Sequence, residues 1–368
     1  MYKRQPKVNP PQWAEALCAR PFLAAKSLKI PSLPLERDPL KGYPVAVTLN
    51  SSALVTIYGG SGFVGRHVVQ AIAKTGARMR IAVRRPDLAG HLQPLGSVGQ
   101  INAVQANVRF PESLLAAARN ADAVINLVGI LFPTGKQSFQ SVQDEGARHV
   151  AEAARANAVE TFVQMSAIGA DAGSPSLYAR SKAEGERAVR EIYPDAVILR
   201  PSVIFGPEDD FFNRFAALAR IAPVLPLVGG GETRFQPVFV GDVAQAVLAG
   251  LTGRANAHRP YELGGPEILT MREVMERVLA YSMRKRPLVP VPFWFAKMKA
   301  AFLQLLPKPM LTIDQVRLLE TDNVVSETAI RDGRTLEGLG IEPVAVEAVV
   351  PDYLEQYRPR GQFSIYRP

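Results

Sequence analysis

The chain has 368 residues, 47% hydrophobic and 21% charged, with 43 Lys and Arg against 34 Asp and Glu. That size and balance fit a globular protein with one large domain and a smaller appended one, and no apolar run reaches the roughly 18 residues of a membrane-spanning helix. A single cysteine, Cys18, excludes an intramolecular disulfide, four scattered histidines offer no metal centre, and a net charge of +9 favours anionic partners. Nucleic acid is not expected among them, because no recognition motif is present.

Residues 1–50 are interrupted by Pro6, Pro10, Pro11, Pro21, Pro31, Pro34, Pro39 and Pro44, and their bases outnumber their acids. No apolar core of a secretory signal is present, which leaves an organelle presequence or a poorly ordered extension. From Ala53 strands and helices alternate. Leu54–Tyr58 is predicted as a strand, Gly65–Thr75 as a helix, Arg80–Val83 as a strand, Ser113–Arg119 as a helix and Ala123–Val128 as a buried strand. Helix Gln143–Asn157, strand Thr161–Ser166, helix Leu177–Ile192 and strand Ala196–Leu199 follow. Such alternation implies a parallel sheet with helices on both faces. Beyond Pro201 the pattern becomes harder to follow.

The first strand runs into Tyr58-Gly59-Gly60-Ser61-Gly62-Phe63-Val64-Gly65-Arg66, with glycines where a strand turns into a helix. Gly59 permits the tight turn, Gly62 the approach of backbone to a pyrophosphate, and Gly65 close helix–strand packing. The helix N-terminus then offers unpaired N–H groups to phosphate. The fold class expected is therefore α/β: a Rossmann doubly wound parallel sheet with a smaller C-terminal cap domain. Residues 51–265 would bind the cofactor and 266–368 form the cap with a partner- or membrane-facing segment.

An NAD site usually carries Asp or Glu at the end of the second strand. Here Arg84 and Arg85 stand there, with Arg66 just inside the first helix. Guanidinium groups suit a 2′-phosphate, so NADP(H) is preferred over NAD(H). The alternative is that both arginines are solvated loop charges.

Tyr178 and Lys182 are four residues apart on a predicted helix and so share a face. An ammonium beside a phenol favours phenolate, which brings the tyrosine toward useful acid–base range. Ser166 ends a strand upstream, where its hydroxyl could orient a carbonyl. Asn126, Val128 and Gly129 end another strand on the same side of such a sheet. The set supports a catalytic site of Ser166, Tyr178 and Lys182 without showing turnover.

The glycine turn, Ser166, Tyr178, Lys182 and Arg200-Pro201-Ser202-Val203-Ile204-Phe205-Gly206-Pro207 together resemble an extended or atypical short-chain dehydrogenase, over residues 53–265. The stretch Val238-Phe239-Val240-Gly241-Asp242-Val243-Ala244 sits where a superfamily motif sits, with Asp242 readable as a helix N-cap. The resemblance implies further cofactor contacts at Asn107, Val128, Gly129, Pro201 and Val203, with Tyr178 and Lys182 also touching the cofactor. More narrowly, Phe63–Arg66, Ile204–Asp209, Phe211–Phe215 and Leu318–Ser326 are similar to the NADPH-binding accessory subunits of respiratory complex I and their alphaproteobacterial homologues. That likeness implies a cofactor held mainly for structure, complex I subunits as partners, and a place on the matrix side in mitochondria or the cytoplasmic face of a bacterial inner membrane.

Arg284-Lys285-Arg286 precedes Phe293–Leu306, an aromatic and leucine-rich stretch with lysines that is too short to span a bilayer. It reads as a cap helix completing a core, as a partner contact, or as a segment lying on an anionic membrane. Two functions stay open alongside the accessory-subunit reading. One is an active NADP-dependent oxidoreductase or epimerase acting on a sugar nucleotide, isoprenoid or quinone precursor near Phe211, Phe212 and Arg214. The other is a sensor whose partner affinity follows NADPH occupancy.

Overall fold

The computed structural model describes residues 46–257, 259–304 and 311–361. Cys18 and most of the proline-rich stretch expected as an extension lie outside the described residues.

Strand β1 (Leu54–Tyr58) is flanked by β2 (Arg78–Val83) and β4 (Ala123–Asn126), with β3 (Ile101–Gln105) beyond β2. On the other side β5 (Thr161–Met165), β6 (Val197–Pro201) and a short β7 (Tyr261–Leu263) complete seven strands, all paired in parallel. The order is therefore β3-β2-β1-β4-β5-β6-β7, and it reverses between β1 and β4.

Side chains alternate across such strands, so a sheet covered on both faces needs near-continuous apolar sequence. Val55 and Ile57 of β1 pack with Val68 and Ile72 of α1 (Phe63–Ala73) and with Val243 and Val247 of a later helix, Val240–Leu251. Tyr58 and Val124 point the other way. They meet Leu114 of α2 (Pro111–Ala118), Val150 of α3 (Glu145–Ala156) and Val189 of α4 (Leu177–Ile192). Tyr58 is buried despite its hydroxyl because that hydroxyl donates to the Leu114 carbonyl at 2.7 Å, and Thr56 donates to Ala117 at 3.0 Å.

After β6 the chain forms short two-stranded pairs and α5 (Phe212–Ile221), α6 (Val240–Leu251) and α7 (Met271–Tyr281). Helices α5 and α7 share a cluster around Phe205, Phe212, Val274 and Val278, which a C-terminal helix at Val350–Leu354 closes. Its Tyr353 donates to Asp209 at 2.5 Å, and Asp209 also accepts the backbone N–H groups of Gly206, Phe211 and Asn213. Helix α8 (Phe293–Leu303) packs through Ala296 and Ala300 beside Val316 of α9 (Ile313–Leu318). Among the described residues, no helix is long and apolar enough to cross a membrane.

Several boundaries differ from the sequence reading. Helix α1 starts at Phe63, two residues earlier than expected, because Gly62 is already the extended cap. The expected helix from Gln143 begins with a π-helical turn at Gln140–Asp144 before α3 proper. Asp242 is not an N-cap: Phe239 holds that position, and Asp242 lies inside the first turn and accepts the Val344 N–H at 2.8 Å.

Candidate functional site

In a doubly wound sheet the ligand crevice opens beyond the C-terminal ends of the strands where the order reverses, here β1 and β4. The glycine turn lies there. Gly59 adopts φ +79°, in the left-handed region, and its N–H donates to Ala82 at 3.1 Å, tying the turn to β2. Gly62 donates back to Gly59 at 3.1 Å. No side chain caps α1, so its first turn is left for an anion.

The glycines are not equivalent. A Cβ on Gly65 would stand 2.5 Å from the Gly60 carbonyl atoms and 2.6 Å from the Gly59 oxygen, so backbone packing forbids it. A Cβ on Gly60 would meet Ile81 at 2.9 Å, whereas one on Gly62 would lie 3.4 Å from Gly59. Ser61, Phe63 and Val64 fill the rest of the turn and the start of α1; Phe63 stacks edge-on against His67 at 5.8 Å. Arg66 forms an ion pair with Glu208, and its Nε is buried without a hydrogen-bond partner.

Arg84 and Arg85 behave differently. Arg84 leaves β2 exposed and donates to the neutral Gln137 side chain at 2.7 Å, so its charge is uncompensated by that contact. Arg85 folds onto Asp87, with contacts of 3.1 and 2.8 Å that raise its own pKa and lower that of Asp87. Asn107 shapes its loop: its side-chain oxygen accepts the Arg109 N–H at 3.2 Å and its own N–H donates to Ser113 at 3.0 Å.

The remaining residues converge from β4, β5, β6 and α4. Asn126 is committed to Gln164 on β5 at 2.9 Å and also accepts the Val128 N–H at 3.2 Å. Gly129 is exposed just beyond, and a Cβ there would lie 3.3 Å from the Lys182 Nζ. Lys182 is only 8% exposed and donates weakly to Met165 at 3.5 Å, beside Ser166. The Ser166 hydroxyl is buried and has no hydrogen-bond partner. The Tyr178 ring centroid lies 5.9 Å from the Lys182 Nζ and 5.9 Å from the Phe139 ring. Pro201 accepts the Ile168 N–H at 3.0 Å, and Val203 donates to Asn323 at 3.1 Å.

Burial governs the electrostatics. It pushes the Tyr178 phenol up to about 12 and the Lys182 amine down to about 8, with Glu186 opposing the lysine shift. The phenol is thus held protonated at neutral pH, and burial weakens the amine's hold on its proton. Phe211, Phe212 and Arg214, expected near a substrate, stand on or just before α5; Phe212 belongs to the buried cluster beneath it.

Residues not singled out from the sequence complete the frame. Gln143 donates to the Ile130 carbonyl at 2.8 Å and accepts from Ser181 at 2.6 Å, joining the loop after β4 to α4. Asn323 ties Ser202 and Val203 to the chain after α9. Asp314 accepts from Ser176, Leu177 and Tyr178 at 2.8, 2.7 and 3.0 Å, capping α4. The Thr312-x-x-Gln315 capping box is visible in the sequence and marks the helix that carries Asp314, but its reach to α4 has no local signal.

A cradle closed to any Cβ at Gly65, an uncapped helix start, a buried unpartnered hydroxyl and a buried lysine suit a dinucleotide site of the short-chain dehydrogenase class. Residues 55–264 match the NAD dependent epimerase/dehydratase family, and the chain belongs to that family, whose members bind NAD(P) on this fold. It is 34% identical over 325 residues to the Arabidopsis thaliana protein named NADH dehydrogenase [ubiquinone] 1 alpha subcomplex subunit 9, mitochondrial, covering 84% of this chain and 79% of that one. It is 36% identical over 200 residues to a ceramide reductase of Caulobacter vibrioides, covering 54% of this chain and 61% of that one. In fold it is similar to a NADPH-dependent quinone oxidoreductase of Escherichia coli solved with NADPH, at TM-score 0.63 and 18% identity over 82% of this chain and 99% of that one.

Proposed function

We propose that this chain is an accessory subunit of a complex I-type NADH:quinone oxidoreductase and holds NADP(H) chiefly as a structural cofactor. The observation that carries this reading is its similarity to subunits of that enzyme along 84% of its length, well past the family's own motif region. Residues 51–265 would carry the cofactor, and 266–368 would face partner subunits or the membrane. The place that follows is the matrix side in an organelle, or the cytoplasmic face of the inner membrane in a bacterium.

The turn at Gly59, Gly60, Ser61, Gly62 and Gly65, with Phe63, Val64 and Arg66, would hold the pyrophosphate. Arg84 would meet the 2′-phosphate, which favours NADP(H) over NAD(H), and Arg85 would contribute less while bound to Asp87. Asn107, Val128, Gly129, Pro201 and Val203 would line the rest. Lys182 would donate to the nicotinamide ribose beside Tyr178. When bound, such a cofactor can supply hydride chemistry; its contribution here is stability, because a ligand that binds only the folded chain adds about 3 kcal/mol at a hundredfold excess over its dissociation constant.

A second reading, an active carbonyl reductase, is favoured by the unpartnered Ser166 hydroxyl and by the likeness to a ceramide reductase. Ser166 would donate to a substrate carbonyl, Tyr178 would deliver the proton, and Lys182 would steady the phenolate. A protonated Tyr178 is the form such a reduction needs, so the likeness to complex I subunits along 84% of the chain, and not the site's electrostatics, favours the structural role. Isolating the native quinone-reducing complex tests the first reading. This chain is expected in stoichiometric amount, and its absence would overturn the assignment.

A further inference from the structure

Helix α8 is two-faced. Ala296 and Ala300 are buried against α9, while Trp294, Met298 and Phe302 recur every fourth residue on the opposite side, 68%, 45% and 71% exposed. That spacing places them on one line along a helix about 16 Å long. The helix contains no acidic residue. Lys299 sits over the Phe295 ring at 5.6 Å, and Lys297 is paired with Glu320.

A cationic cluster leads into this helix. Arg286 reaches the carbonyl of Ala219, the neighbour of Arg220, at 3.1 Å, and Arg284 stands two residues before Arg286; burial and the charges of Arg286 and Arg220 push Arg284 below the ordinary arginine range. Arg284 and Arg286 donate to the Tyr357 and Ala219 carbonyls, contacts that neutralise neither charge. Strand Leu288–Val291 joins the cluster to α8, and its Val289 is exposed, as are Ile221 and Val224 near its partner strand Leu225–Val228.

We propose that this face is an interfacial anchor for an anionic lipid surface. Trp294, Met298 and Phe302 would enter the boundary between headgroups and acyl chains, with Arg220, Arg284 and Arg286 near the phosphates. Two observations favour lipid over an apolar protein groove: the stripe carries an indole and a phenyl ring suited to the headgroup boundary, and the charge leading into the helix is of one sign. The proposal deepens the reading of a subunit at a membrane-bound assembly, but it does not depend on the cofactor.

The full chain contains two tryptophans, so a Trp13→Phe background leaves Trp294 as the sole reporter. Flotation with vesicles of equimolar phosphatidylcholine and phosphatidylglycerol should carry the protein, shift Trp294 emission to the blue and expose it to quenching by brominated acyl chains. Replacing Trp294, Met298 and Phe302 together with Gln, in the tryptophan-containing chain, should weaken flotation at least about tenfold. These side chains face outward, so an unchanged melting curve checks that the variant is folded. Arg284→Gln with Arg286→Gln should remove the preference for anionic over pure phosphatidylcholine vesicles. Failure to float at low salt, or equal flotation of the triple variant, overturns the proposal; binding of a protein partner alone through Trp294 would assign the face to protein instead. Flotation that persists for a chain absent from the native complex would sink the subunit reading and leave this one standing.

Discussion

Asp314 caps the helix that carries Tyr178: its carboxylate accepts the Tyr178 N–H at 3.0 Å from a position 136 residues further along the chain. The same carboxylate takes the Ser176 hydroxyl and the Leu177 N–H. The start of α4, and with it the candidate acid–base pair, is therefore held by the C-terminal part of the protein rather than by its own sequence alone.

Asp314→Ala should leave three donors at that helix start without their acceptor. A loss of about 1–3 kcal/mol is expected. Urea denaturation measures it, and an unchanged midpoint would mean that solvent replaces the cap without cost.

Gly65→Ala should abolish nucleotide retention, because the new methyl would meet backbone carbonyls at 2.5 Å and force α1 off the turn. Gly62→Ala, with 3.4 Å available on the protein side, should leave the protein folded but still weaken binding, because its methyl would stand where the backbone approaches the pyrophosphate. Nucleotide released from each purified variant, measured by chromatography, together with its melting curve, separates a folded chain that has lost affinity from one whose turn is displaced.

Arg84→Ala should weaken NADPH binding about 10- to 100-fold while changing NADH binding little, the loss expected for a charge-assisted contact to the 2′-phosphate. Arg85→Ala should cost less, since that guanidinium is already engaged by Asp87. Titration calorimetry with both dinucleotides gives the comparison; equal losses for NADPH and NADH would remove Arg84 from phosphate recognition.

Lys182 makes stability depend on alkaline pH. Burial lowers its folded-state pKa from 10.5 to about 8, so between those values the unfolded chain binds more protons than the folded one. The penalty is fully present below about 8 and is relieved as pH rises, so cofactor-free protein should gain stability over that range. Tyr178 acts in the opposite sense above its ordinary pKa of 10, because its folded-state value is raised to about 12. Denaturant midpoints at increasing pH should rise for the natural chain and less for Lys182→Met; parallel curves would show that the lysine is not desolvated.

Much of the frame was legible because its signals are local. A strand running into glycines, a helix with Tyr178 and Lys182 one turn apart, and apolar runs at β4 and β5 each carry their own periodicity. Strand β3 was missed because it is a sheet edge: Asn102 and Gln105 are exposed, so its apolar run is broken. Strand β7 has three residues, and among the pairs after β6 only Leu225–Val228 with Leu288–Val291 reaches four, each interrupted by a proline, so alternation cannot be read there. Long-range partners left no local trace. Asp314 on α4, Asn323 on Ser202, Glu208 on Arg66 and Tyr353 on Asp209 are set by tertiary packing. Asp87 beside Arg85 was the exception, two residues away and readable as a competing partner.

On the proposed reading the site retains NADP(H) without turning it over, and the nucleotide that accompanies the natively purified protein tests this most directly. NADPH is expected to remain bound and unoxidised through incubation with candidate carbonyl substrates, quinone precursors and ceramide-type ketones included. Purified chain with no nucleotide, or NADPH consumed in step with one substrate class and lost on Tyr178→Phe, would contradict it.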